Sequence, residues 1–166
     1  MPAKNKEPAD VKCAAENMSS TAGPVLCAST NLRMAARATT RLYDKALAPV
    51  ELTVTQYAIL SSIFRAGEIA TMDLASRLCL ERTTLYRALA VLERRSLLVS
   101  RPGHGREQFL SLTPSGARLR ALAFKEWNKV QQTFLDEFGE GWDDFLNQVR
   151  RVRQIAERQI EDDRID

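Results

Sequence analysis

The stretch from 71 to 94, TMDLASRLCLERTTLYRALAVLER, admits few folds. Met72, Leu74, Ala75, Leu78 and Leu80 are spaced as the buried side of a short amphipathic helix, with Thr71 placed to cap its N-terminus. Leu85, Ala88, Leu89 and Leu92 repeat that spacing, while Arg82, Thr83, Tyr86, Arg87 and Arg94 fall largely off the stripe. The second helix therefore seats on a core and turns hydrogen-bond donors outward. Two such helices in tandem describe a helix-turn-helix. Beyond them, Leu97–Arg101 and Gln108–Leu112 read as strands around the turn Pro102-Gly103-His104-Gly105, a hairpin wing with Arg101 and Arg106 near its tip.

Charge follows the same stretch. Six arginines (82, 87, 94, 95, 101 and 106) and a single acid, Glu93, lie between 82 and 106, a net +5 in a chain whose total is +3. One arginine on a helix face is ordinarily there to solvate it. Six together, backed by a wing, make a surface to which a DNA duplex docks.

Composition and spacing then exclude other classes. The chain has 166 residues, 45% hydrophobic and 27% charged, which suits one soluble domain with helical arms. Its apolar runs are too short to span a membrane, and MPAKNKEPADVK is no secretory leader. Three cysteines without a CxxC pair fit reduced cytosolic thiols, and one histidine leaves no zinc site. The acidic pairs Asp143-Asp144 and Asp162-Asp163 are sequence neighbours that point apart on helices. With no phosphate-binding glycine loop either, neither catalysis nor a cofactor is expected.

In chain order, residues 1–26 lack periodicity and read as a disordered tail. A helix follows from about Ser29 to Leu47, stopped by Pro49. Thr53 and Gln56 form a capping box for the next helix, which ends at Gly67. Thr113-Pro114 opens a long helix striped by Leu119, Leu122, Ala123, Trp127, Val130, Phe134 and Phe138, broken by Gly139 and Gly141. In the last helix Trp142, Val149 and Ala156 sit seven apart, as do Phe145 and Val152, a coiled-coil-like seam. A winged core of some 60 residues cannot cover three such stripes, so a twofold homodimer is expected. The expected fold is mainly α, an α+β winged helix. Its winged core spans 52–112, its dimerisation helices 27–48 and 113–163, together one domain over 27–163.

ERTTLYRALAVLERRSLL, the basic wing and LTPSG resemble the winged helix-turn-helix of the MarR family of bacterial transcription regulators. The resemblance runs from about 27 to 160 and includes NLRMAARATTRLYDKALAPVELTVTQYAIL ahead of the core. It implies a homodimer on pseudo-palindromic double-stranded DNA, acting as a repressor in the cytoplasm. Thr83, Thr84 and Arg87 match the family's recognition-helix pattern, and Arg106 its wing arginine. Thr71, Arg82, Tyr86 and Arg94 join them as candidate DNA contacts on the helices, with Arg101 and His104 on the wing. Tyr86 stands at a usual Ser/Thr position and His104 at a usual aspartate, departures that bear on sequence preference. Cys79 and Ser96 occupy the family's turn glycines, where left-handed geometry would cost each residue about 1 kcal/mol, so one or both turns are expected to be rebuilt.

What releases the DNA has two readings. The family implies a pocket for a small aromatic or phenolic ligand where helix one, the Tyr57–Phe64 helix and the long helix meet. Met34, Tyr57, Phe64 and Trp127 would be its apolar walls, Asn31 and Arg33 its polar anchors. Each of these aromatics taken alone reads equally as core at helical spacing. The other reading is a peroxide-sensing thiol at Cys27, near where the family's organic-peroxide sensors place a cysteine. With one helix end and no adjacent cation in the sequence, no peroxide response is expected. A third possibility in kind is a winged-helix adaptor that binds protein, which the clustered arginines disfavour.

Overall fold

The structure, a computed structural model, describes residues 27–105 and 107–162, the last two by backbone only. The tail over 1–26 and Arg106, both subjects of expectations above, lie outside the described residues. Six helices and a small sheet follow in the order α1 (Ala28–Leu47), α2 (Val54–Ala66), β1 (Glu68–Ala70), α3 (Thr71–Leu78), α4 (Arg82–Arg94), β2 (Leu98–Pro102), β3 (Gln108–Leu112), α5 (Pro114–Phe138) and α6 (Trp142–Asp162). The chain divides into two compact units, Met1–Ala38 and Thr39–Asp166, with the boundary inside α1.

Local signals set most helix ends. Pro49 sits in a single 3-10 turn, Ala48–Val50, that ends α1. Thr53 Oγ1 accepts from the Gln56 amide and Gln56 Oε1 from the Thr53 amide, so the capping box is formed. Gly67 ends α2 with a positive φ of 73°, as expected. Thr113 caps α5, its hydroxyl accepting from the Gly116 amide at 3.0 Å, with Pro114 in the first turn. Gly139 ends it.

Among the described residues, three that are not glycine sit in the left-handed region: Glu51 (φ 53°), Cys79 (φ 50°) and Ser96 (φ 53°). The expectation that Cys79 or Ser96 would be rebuilt is therefore corrected. In each case the next amide bonds back to a carbonyl five residues earlier: Leu52 to Leu47, Leu80 to Ala75, and Leu97 to Leu92. That is the Schellman closure, which needs a left-handed residue just before the donor. The orphan carbonyls it satisfies offset the steric cost of a side chain there.

The sheet has the order β1-β3-β2, all antiparallel, with Ile69 opposite Leu110 and Arg101 opposite Phe109. β2 begins one residue later than the sequence suggests, and β3 has the expected bounds. β1 was not anticipated. Three residues are too few to show alternation, and EIA becomes a strand only because β3 pairs with it. Leu47, Ile59, Leu60, Ile63, Leu74, Leu85, Leu92, Leu98 and Leu110 form a core with essentially no exposed side chain. Among the described residues no single helix is long and apolar enough to cross a membrane.

Candidate nucleic-acid interface

Helix α4 is the site's frame. Leu85, Leu89 and Leu92 are buried along one side and fix its rotation against the core. That leaves Arg82, Thr83, Thr84, Tyr86, Arg87 and Arg94 exposed on the other, as the stripe in the sequence requires. Thr83 and Arg87 are four apart and Thr84 and Arg87 three apart, so their side chains neighbour one another on one face. Tyr86 is half exposed, a large ring on an otherwise small and cationic surface.

The C-terminal end of α4 is pinned from two sides. Arg95 donates to the Glu51 carbonyl oxygen, tying the helix exit to the connection after α1. The Ser96 carbonyl accepts from Thr113 Oγ1 at 2.7 Å and from Ser115 Oγ at 2.8 Å, tying it to the start of α5. At the turn before α4, Arg153 of α6 donates to Cys79 Sγ at 3.5 Å. Rigid support of this kind is what a base-reading helix needs.

Two members of the proposed contact set are engaged within the fold. Thr71 is 3% exposed, and its hydroxyl donates to the Gln108 carbonyl at 3.0 Å. Ala70, not Thr71, is the N-cap of α3. Both expectations for Thr71, cap and surface contact, are corrected: it joins α3 to β3 from inside. Arg101 is exposed but paired, donating from Nε to Glu68 at 2.6 Å and from Nη2 to the other carboxylate oxygen. The guanidinium holds the Glu68 carboxyl below its ordinary pKa through this hydrogen bond. His104 stands exposed on the wing turn.

The expected effector residues fall into two groups. Tyr57 is buried and its ring lies 5.7 Å from that of Trp127, so these two do meet. Tyr43 stands 6.4 Å from Trp127, donates to Gln131 Oε1 at 2.6 Å, and has its phenol pKa raised by burial. Phe64, expected as an inward wall, is instead 52% exposed and lies under the guanidinium of Arg120 at 4.6 Å. It stands in the last turn of α2, where positions 64 to 67 are all exposed. Asn31, Arg33 and Met34 lie on the exposed first half of α1, in the other unit.

Arg120 is the residue that sequence reasoning missed. Its guanidinium lies between the rings of Phe64 and Phe124 and donates to Ser61 at 3.4 Å. Only its spacing from Phe124, one turn along α5, signalled a cation beside aromatics. Cys27 is exposed, and its thiol pKa is lowered by the Thr30 backbone amide and then by the Thr30 hydroxyl. Among the described residues no group of three His, Cys, Asp or Glu is placed to hold a metal ion.

A tandem helix pair with a cationic outer face, carried on a buried leucine spine and backed by a two-stranded wing, defines a winged helix-turn-helix. The sequence model of the MarR family matches residues 52–105. The DNA complex of the Mycobacterium tuberculosis transcriptional regulator MosR superposes with a TM-score of 0.72 at 32% identity, covering 79% of this chain and 96% of that one. The chain belongs to the MarR family of transcription regulators. It is also 30% identical over 90 residues to the uncharacterized HTH-type transcriptional regulator YvnA of Bacillus subtilis (strain 168), a match over 53% of this chain and 57% of that protein's length. PcaV of Streptomyces coelicolor, solved with its natural ligand, shares the fold at a TM-score of 0.71 and 23% identity, over 82% of this chain and 99% of that one. These relatives are transcriptional regulators.

Proposed function

We propose that this chain acts as a homodimeric repressor that binds pseudo-palindromic duplex DNA, inserting one α4 into the major groove at each half-site. The carrying observation is the exposed face of α4, where Thr83, Thr84 and Arg87 converge over the buried Leu85-Leu89-Leu92 spine. Arginine and threonine supply the donors that read guanine edges and phosphates. That MosR, at 32% identity, is seen with DNA supports the reading.

The dimer rests on α6. Phe145, Val149, Val152 and Ile155 are each roughly 40% exposed along one side of it, and a solvent-facing apolar stripe of that length marks an interface. Sedimentation with a labelled duplex, selected by the protein from a random-sequence library, tests both parts. Two protomers per duplex are expected, with half-sites about one helical turn apart. A protein monomeric at micromolar concentration, or one that enriches no duplex, overturns the reading.

DNA release is assigned to a small aromatic or phenolic acid. Tyr43, Tyr57, Trp127 and Phe124 make a run of rings leading to the Arg120 guanidinium, apolar surface ending in an anion-binding group. In a Trp142→Phe background, Trp127 emission should change on titration with aromatic carboxylic acids, and Arg120→Ala should weaken that response about tenfold, the loss typical of one charge-assisted hydrogen bond. The lowered Cys27 thiol favours one alternative, so the same assay carries a peroxide arm. An acid panel that moves neither emission nor DNA affinity, with peroxide releasing DNA from the parent but not from Cys27→Ser, would replace the ligand reading by the thiol one.

A further inference from the structure

We propose that Arg101 is a positioning residue of the wing, clamping the two outer strands of the sheet across the middle one, and not itself a ligand of DNA. The inference rests on the DNA-binding reading above. β1 and β2 are not neighbours, since β3 lies between them, so the outer strands stand about 10 Å apart. Arg101 on β2 nonetheless reaches Glu68 on β1 with both carboxylate oxygens engaged. It does so by crossing β3 over the ring of Phe109, whose centroid is 4.8 Å from the guanidinium carbon.

The register explains why the reach succeeds. Arg101 faces Phe109 across the ladder and Glu68 faces Ser111. Positions 109 and 111 point to the same side of β3, so acid, ring and cation share one face of the sheet. The ring's other neighbour is the wing turn. A methyl group built on Gly103 would come within 2.7 Å of Phe109 Cε2, so the turn lies directly on the ring. Glu68 opens β1, the strand that runs directly into α3, the first helix of the tandem pair. The clamp therefore links the start of the helix-turn-helix to the turn of the wing, and fixes the angle between them. A bidentate guanidinium–carboxylate pair has the directional geometry this requires, and it occupies the Nε and Nη2 donors that would otherwise fork onto a phosphate.

Charge and position make opposite demands on Glu68, which makes the proposal testable. Glu68→Gln removes a negative charge near the duplex and frees Arg101, so a DNA-contacting Arg101 would then bind as well or better. If Arg101 positions the wing, Glu68→Gln and Arg101→Gln should each weaken binding to the selected duplex by about three- to fivefold, the upper part of the range of an exposed ion pair. Both should keep the parent slope of log Kd against log salt. The exchanged pair, Glu68→Arg with Arg101→Glu, should recover affinity, and thermal melts confirm that each variant is folded at the assay temperature. If the exchanged pair does not fold, the two single variants still decide through the sign of Glu68→Gln. Unchanged or tighter binding by Glu68→Gln, together with a slope reduced by about 0.9 in Arg101→Gln, would overturn the proposal and make Arg101 a phosphate ligand. A parent protein that enriches no duplex would instead bring down the DNA-binding reading, and the positioning role with it.

Discussion

Replacing Arg87 with alanine is expected to weaken binding to the selected duplex by about 1–3 kcal/mol, roughly five- to 150-fold. The side chain stands exposed on the middle turn of α4, opposite the buried Leu85, Leu89 and Leu92, with Thr83 and Thr84 one turn before it. A helix entering the major groove brings such a position to base edges, where a guanidinium pairs with both acceptors of guanine. Among the described residues Arg87 is exposed and enters no side-chain hydrogen bond or ion pair, so the loss should appear in affinity and not in melting temperature. Its base specificity separates readout from general charge: substituting the contacted guanine should cost the parent as much as the mutation does, and cost the variant little further. An Arg87→Ala protein that is folded and binds with parental affinity would remove α4 from the groove.

The second large effect is on stability. Gly116 lies in the first turn of α5, where alanine is normally favoured over glycine by about 1 kcal/mol because it restricts the unfolded chain. Here the sign should reverse. A methyl group at this position would come within 1.8 Å of the Leu97 carbonyl oxygen and 2.8 Å of its carbon, both backbone atoms that cannot rotate away. Relief requires α5 to lift from the exit of α4. That motion strains the bond from the Thr113 amide to Leu97 at 3.1 Å and those from Thr113 and Ser115 to the Ser96 carbonyl. Gly116→Ala is thus expected to destabilise by about 3 kcal/mol, and to lower Tm by roughly 6–12 °C for a chain of this size. On the proposed reading DNA affinity should fall with it, because Ser96 closes the exit of α4. A variant that melts at or above the parent temperature would show that α5 is not held flush against Leu97.

The sequence alone determined those features whose causes are local. The Thr53/Gln56 capping box, the stop at Pro49, the start at Thr113-Pro114 and the glycine breaks after Phe138 each depend on a few adjacent residues. The outward face of α4 was legible for a related reason. Leu85, Leu89 and Leu92 define its buried side at helical spacing, and Thr83, Arg87 and Arg94 fall opposite. Only the tertiary structure decided which of those polar groups remain available. Thr71 looked like an exposed cap until β3 supplied the Gln108 carbonyl 37 residues away, and Arg101 gained its ion-pair partner only because β1 placed Glu68 within reach. Arg120 gained Phe64 as its second aromatic neighbour only through the packing of α2 on α5. The left-handed Cys79 and Ser96 belong with these. A propensity for glycine describes one residue's own steric cost, whereas the closing bonds that offset it belong to the helix end as a whole.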